Sequence, residues 1–218
     1  MKIGFLWKTC LLSDARAIQK MFEGELVELD DENGLPGVDL LVLFGGEDIS
    51  PSWYDQKVSK TYASEKPSDR DLLEAVTFLG AVERGIPVLA ICRGAQFACV
   101  LLGGKLWQHV DNHECGQVGH DLIMDDGIAY RTNSYHHQMM RPTKDMIVLG
   151  HTPCLSSRKW DEYCQSTVGE REPEIVLDPA HKVLMVQGHP EWQSQKDDLY
   201  KITQHLVRKY LCPIDSLQ

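Results

Sequence analysis

The sequence predicts an α/β protein: a three-layer sandwich whose mostly parallel central sheet is covered by helices on both faces, with a small antiparallel β extension. Three observations predict it. Asp39–Phe44, Pro87–Ile91 and Lys182–Val186 are short and almost unbroken aliphatic runs, as strands buried on both faces must be. Segments of helical periodicity alternate with them, which is the order of a parallel sheet with crossover helices. At 218 residues, 43% hydrophobic and 25% charged, the chain can close one sizeable core. No internal repeat, low-complexity tract or linker interrupts it, so residues 1–218 read as a single domain.

Taken in order, Lys2–Trp7 is the opening strand. With Ala15-Arg16-Ala17 behind it the N-terminus imitates a secretion signal, but Lys8 cuts the apolar run too short. Ser13 or Asp14 is placed to cap a helix ending near Phe22, and Glu25–Leu29 alternates as a short strand. Asp30–Gly37 is turn chemistry, its acidic Asp30-Asp31-Glu32 run a solvated turn, and Asp39–Phe44 ends at Gly45-Gly46. Residues 47–67 form a long surface loop in which Trp53 and Tyr54 either cover a substrate or pin the loop. Ser68, with Asp71 three residues on, starts a helix carrying Leu72, Leu73, Val76, Leu79 and Val82 up to Arg84-Gly85-Ile86-Pro87. The strand Pro87–Ile91 runs into a cysteine and a helical segment. Then come Gly103-Gly104, a strand Lys105–Val110, and a hairpin of His120–Met124 and Ile128–Arg131 about Asp125-Asp126-Gly127. Strands at Met146–His151, Cys164–Val168, Glu174–Leu177 and Lys182–Val186 follow, and an amphipathic helix over Asp197–Leu211 closes the chain.

A net charge of −10 with no basic patch argues against nucleic acid or an anionic membrane surface as partner. No segment reaches the eighteen or so apolar residues that a membrane span takes. Seven cysteines at scattered spacings, with no Cys-x-x-Cys, suggest neither a disulfide framework nor a zinc ribbon, and a reducing cytoplasm is the simplest home.

The stretch Leu89-Ala90-Ile91-Cys92-Arg93-Gly94 carries chemistry. Small residues two positions either side of Cys92 allow a sharp strand-to-helix turn that lifts the thiol above the sheet. A helix N-terminus favours an anion there and offers the N–H of Arg93 to a developing oxyanion. Taken alone, Cys92 could equally be a small buried hydrophobe. The second half of the case is His189-Pro190-Glu191 at the end of Lys182–Val186. Proline biases the residue before it to extended geometry, so 189 and 191 leave the same side and a carboxylate can hold the imidazole. A nucleophile, a base and an orienting acid at neighbouring strand ends make a triad by role.

Five motifs, in order, resemble the class I glutamine amidotransferase superfamily: Gly45-Gly46-Glu47-Asp48-Ile49-Ser50-Pro51; Arg70-Asp71 with Glu74; Ile91–Gln96; Asn133-Ser134-Tyr135-His136-His137-Gln138; and Gln187-Gly188-His189-Pro190-Glu191. Within it they are most similar to the γ-glutamyl-γ-aminobutyrate hydrolase branch of the C26 peptidases. The resemblance implies the flavodoxin-like fold of that superfamily and an attack by Cys92 on the γ-carbonyl of a glutamine-like amide. His189 is then the base and Glu191 its orienter, with an oxyanion hole at Arg93 and Gly45-Gly46. Gln96 and Ser134, Tyr135 and His136 correspond to positions that line a γ-glutamyl pocket. The implied partner is a small γ-glutamyl substrate. Ala90 departs from the family's usual glycine, and the loop between Gly46 and Arg70 is short for the branch.

That short loop keeps a glutaminase that feeds ammonia to a synthetase partner as the alternative. A non-catalytic binding module on the same fold is a third reading, and a homodimer stays open. No cofactor is assigned. His109, His113, Cys115 and His120 crowd one stretch but match no standard zinc template, so no metal is assigned either. Adjacent strand residues face opposite ways, so His136-His137 reads as pocket wall and support instead of a second base.

Overall fold

The computed structural model describes residues 1–30, 34–153, 155–165 and 171–212. The strands are β1 (Lys2–Leu6), β2 (Glu25–Leu29), β3 (Leu40–Leu43), β4 (Val88–Ile91), β5 (Lys105–Trp107), β6 (His109–Val110), β7 (Gly116–Met124), β8 (Ala129–Ser134), β9 (Met139–Arg141), β10 (Ile147–Thr152), β11 (Lys159–Trp160), β12 (Cys164–Gln165), β13 (Glu172–Asp178) and β14 (Val183–Val186). The α-helices are α1 (Leu12–Phe22), α2 (Asp69–Glu83), α3 (Arg93–Leu101) and α4 (Asp198–Leu206).

Nine strands form one sheet in the order β2-β1-β3-β4-β14-β13-β10-β7-β8. Pairing is parallel from β2 to β14 and antiparallel from β14 to β8. The predicted antiparallel extension is therefore the second half of the main sheet. Two small antiparallel sheets, β12-β11-β6 and β5-β9, lie beside it.

Alternation along the parallel strands builds the three layers. Leu41 and Leu43, Val88 and Ala90, and Val183 and Met185 join Phe78 of α2 and Phe97 of α3 in one core. Their neighbours Leu40 and Val42, Leu89 and Ile91, and Leu184 and Val186 join Ile18 of α1 and Leu199 of α4 in the other. A strand with apolar residues at every position can be packed on both sides.

Several elements differ from expectation for identifiable reasons. Trp7–Thr9 leaves β1 as a 3₁₀ turn. Helix α1 starts after Leu11 without a side-chain cap, so Ser13 and Asp14 lie within its first turn, and the Asp14 carboxylate accepts from Trp192 Nε1 at 3.2 Å. Lys105–Val110 splits in two, β5 pairing with β9 and β6 with β11. The closing helix is α-helical over Asp198–Leu206 and π-helical over Val207–Leu211. The capping box of Ser68 and Asp71 is formed, but α2 is turned so that Asp71, Glu74 and Phe78 face inward. Leu72, Val76 and Leu79 are consequently 51%, 74% and 49% exposed. Residues 31–33 of the acidic turn and 166–168 of the strand expected at Cys164–Val168 lie outside the described residues. No helix among the described residues is long and apolar enough to cross a membrane.

Candidate active site

Cys92 sits between β4 and α3 with φ 50° and ψ −110°, a backbone conformation that side-chain-bearing residues rarely adopt. The surroundings hold it there. Its N–H donates to Val186 O of the neighbouring strand at 2.8 Å, and its carbonyl accepts from Gln96 N at 3.0 Å. Gly94 makes the turn possible, since a Cβ there would lie 2.6 Å from Leu43 O. Ala90, where the resemblance expects glycine, keeps strand geometry with φ negative and is fully buried.

His189 and Glu191 meet differently from the extended geometry expected. Pro190–Trp192 is a 3₁₀ turn after β14, and it folds the carboxylate back to bring Glu191 Oε1 within 2.7 Å of His189 Nδ1. The indole of Trp192 stacks on the imidazole at 3.7 Å between centroids and 5° between planes. Tyr135 stands edge-on to both rings. Burial of the imidazole works against its proton, but hydrogen bonding to Cys92 and Glu191 more than offsets this and lifts the His189 pKa to about 10.

Gly45 is wedged between the two groups. A Cβ on it would lie 2.6 Å from His189 Cε1 and 3.5 Å from Cys92 Cβ. Gly46 has φ 149°, and any side chain on it would strike the Arg70 guanidinium. Arg70 Nη2 donates to Gly45 O at 2.9 Å and Nε to Glu74 at 3.0 Å. Glu74 and Asp71 in turn pair with the guanidinium of Arg93, the first residue of α3, which is 1% exposed. One buried ion-pair network thus fixes the Gly45-Gly46 turn relative to the elbow.

These groups open onto a cleft of about 490 Å³ that also takes in Lys8, Cys10, Arg70 and Tyr135. Of the four residues expected to bind substrate, only Tyr135 lines this cleft. Gln96 is buried on α3 and donates to Gln138 O at 3.1 Å, while Ser134 donates to His113 O. His136 is also buried, its Nδ1 2.9 Å from Gln138 O and its Nε2 turned towards Glu174. Trp53 stands edge-on to Phe97 and Tyr54 is buried, so this pair pins the loop. The segment Lys8–Leu11 and Trp192 had no motif to announce them, since tertiary packing alone brings them to the thiol.

Asn133 has a role its motif did not disclose. Its amide accepts from His189 N at 2.8 Å and donates to His189 O at 2.9 Å, clamping the backbone of the base from the end of β8. Asn133→Leu leaves the buried His189 N–H without its partner and the carbonyl with only the Trp192 N–H at 3.3 Å, so it is expected to cost about 1–3 kcal/mol and to lower the unfolding midpoint by about 5–10 °C. Differential scanning calorimetry of the two chains checks it.

Comparisons with known proteins agree with the geometry. A model of the Peptidase C26 family matches residues 27–156, more than half of the chain. The protein NtpR of Enterococcus hirae is 32% identical over 174 residues, 71% of this chain and 67% of that protein. A candidate glutamine amidotransferase of Mycobacterium tuberculosis is 41% identical over 171 residues, 76% of this chain and 54% of that one. Among solved structures, a glutamine amidotransferase from Thermotoga maritima superposes with a TM-score of 0.58 at 15% identity, covering 100% of this chain and 86% of that chain, a likeness of fold. The chain therefore belongs to the Peptidase C26 family, within the class I glutamine amidotransferase superfamily of amide-hydrolysing enzymes.

Proposed function

We propose that the protein hydrolyses a γ-glutamyl amide through a γ-glutamyl thioester on Cys92. The observation that carries this reading is the convergence of Cys92, on a strained strand-to-helix elbow, with the His189–Glu191 pair around the close-packed Gly45. His189 takes the thiol proton, and Cys92 Sγ adds to the amide carbonyl. The negative charge that develops on the carbonyl oxygen is met by backbone N–H groups of Arg93 and the Gly45-Gly46 turn. Collapse forms the C–S bond of the thioester and breaks the C–N bond, with the imidazolium giving its proton to the leaving amine. Water, deprotonated by His189, then splits the thioester, returning the thiol and releasing glutamate. Glu191 keeps the imidazole oriented and its charge compensated throughout.

The cleft fits a small substrate. Tyr135 and Trp192, 40% and 44% exposed, form an aromatic rim over the imidazole, and Lys8 and Arg70 supply positive charge suited to a carboxylate. Gln96, Ser134 and His136 support this wall from behind.

Glutamate release by the purified protein from L-glutamine and a panel of γ-glutamyl amines tests the reading, with Cys92→Ala as control. Cys92-dependent turnover of a γ-glutamyl amine with glutamine poor is the expected result. Weak turnover confined to glutamine turns the assignment to a glutaminase that a synthetase partner activates. No turnover of any substrate, with no acyl adduct on Cys92 by mass spectrometry, overturns it in favour of a binding module.

A further inference from the structure

We propose that His113, His120, His136 and Glu174 form a closed four-ligand site for a zinc-class divalent cation, which fastens the antiparallel half of the sheet to the wall of the candidate active site. This site is independent of the chemistry at Cys92. Its ligands come from four places in the chain: the segment before β7, β7 itself, the segment after β8, and β13. All four side chains are buried, and one ligand atom from each lies within 4.8 Å of the others. Glu174 Oε1 is 3.5 Å from His113 Nδ1, 3.3 Å from His120 Nε2 and 3.6 Å from His136 Nε2. A tetrahedral shell with metal–ligand bonds of about 2.0–2.1 Å has ligand–ligand edges of about 3.3–3.4 Å. The His120 edge matches, and the His113 and His136 edges are longer by about 0.1–0.3 Å.

Proton placement points the same way. The outward nitrogen of each imidazole faces an acceptor. His113 Nε2 is 2.8 Å from Glu172 Oε2, His120 Nδ1 is 3.1 Å from Asp121 O, and His136 Nδ1 is 2.9 Å from Gln138 O. With the N–H on those outward nitrogens, each ring in its neutral form turns a lone pair inward. Three inward lone pairs then face a carboxylate in a buried space. His113 Nδ1, His120 Nε2, His136 Nε2 and both oxygens of Glu174 have no hydrogen-bond partner among the described residues. A buried set of acceptors without a donor is costly, and a cation resolves it. Outer acceptors that fix the tautomer and lend basicity to each imidazole are the usual second layer of a metal site. Here Glu172 is itself held by Lys159 at 3.1 Å and by the N–H groups of Leu155 and Ser156.

Three imidazoles and one carboxylate suit zinc and disfavour magnesium or calcium, which take oxygen shells. Four protein ligands leave no open position, so the ion is structural. Its reach extends to the elbow, because Gln138 O accepts both from His136 and from Gln96 on α3. Only His113 and His120 come from the His109–His120 stretch that the sequence crowds together. His109 Nδ1 lies 3.1 Å from His137 Nδ1, and Cys115 Sγ donates to Asn112 O.

The test is metal content of the untagged chain by plasma mass spectrometry, followed by stripping with a chelator and titration with Zn²⁺ or Co²⁺ alone. About one zinc per chain, the ligand-field absorption of tetrahedral Co²⁺, and an unfolding midpoint raised by about 5–10 °C at metal hundredfold above its dissociation constant are expected. His120→Gln should lose the bound metal. His181→Gln, whose imidazole sits on Asp178 at the surface, and Cys92→Ala should keep it. Failure of the unaltered chain to take up zinc overturns the proposal even if His120→Gln does not fold. Uptake abolished by Cys92→Ala, which marks an adventitious ion on the thiol, overturns it as well.

Discussion

Replacing Cys92 with alanine is expected to lower glutamate release from a γ-glutamyl amide by at least about ten-thousand-fold while the chain stays folded. The thiol supplies the bond-forming electron pair, and no neighbouring side chain in the cleft can replace it at the same position. Folding survives because the exchange removes one buried sulfur from a small residue. Cys92→Gly should be equally inactive but melt higher than Cys92→Ala, since glycine adopts φ 50° and ψ −110° without the cost of about 1–3 kcal/mol that a side chain brings. The pair separates loss of chemistry from loss of fold. A pH series on the unaltered chain adds a second readout. Bonds to Cys92 and Glu191, against the opposing effect of burial, raise His189 to about 10 in the folded chain, above the ordinary 6.5. The stability that this proton contributes is therefore fully present below about pH 6.5 and is lost as pH rises through about 10. The rate should decline over the same alkaline range, because the leaving amine takes its proton from His189. Glu191→Gln removes one of the two raising partners, so both limbs should move to lower pH. Steady-state rates and calorimetry across about pH 6 to 11 check this.

Much of this site is legible in the sequence, since its parts are local. A buried strand, a cysteine and Gly94 within seven residues announce an elbow. Gly45-Gly46 and His189-Pro190-Glu191 each end a strand whose apolar run is unmistakable. The alternation that divides Leu40 and Val42 from Leu41 and Leu43 likewise needs only the chain itself. Long-range choices are less visible. His113, His120, His136 and Glu174 sit on four separate segments, and only the antiparallel pairing of β7, β10 and β13 makes them neighbours. His136, taken by its motif for a pocket residue, lies beyond the end of β8 and faces Glu174 instead. The same limit explains α2. Its apolar residues look like a core stripe by spacing, yet the helix is rotated to serve Arg93.

That rotation leads to the second large effect. Arg93→Met is expected to destabilise the fold by about 3–5 kcal/mol and lower the unfolding midpoint by about 10–15 °C. Asp71 and Glu74 are 1% and 0% exposed, and both pair with the Arg93 guanidinium beneath the elbow. Methionine fills most of the space but leaves the carboxylates without that charge. Glu74 keeps Arg70, whereas Asp71 keeps only its capping bonds with Ser68. Adding Asp71→Asn and Glu74→Gln to Arg93→Met should recover a large part of the loss, because removing all the charges avoids burying any unpaired one. A deficit unrelieved in the triple variant would show that the arginine matters for its bulk. Activity should also suffer in the folded fraction. Glu74 holds Arg70, and Arg70 holds Gly45 O, so a loosened network lets the glycine turn drift from the thiol. Displacements of about 1 Å at such a turn cost about a hundredfold in rate. Measuring kcat well below the variant's midpoint, beside KM for the same γ-glutamyl amide, separates that drift from simple unfolding.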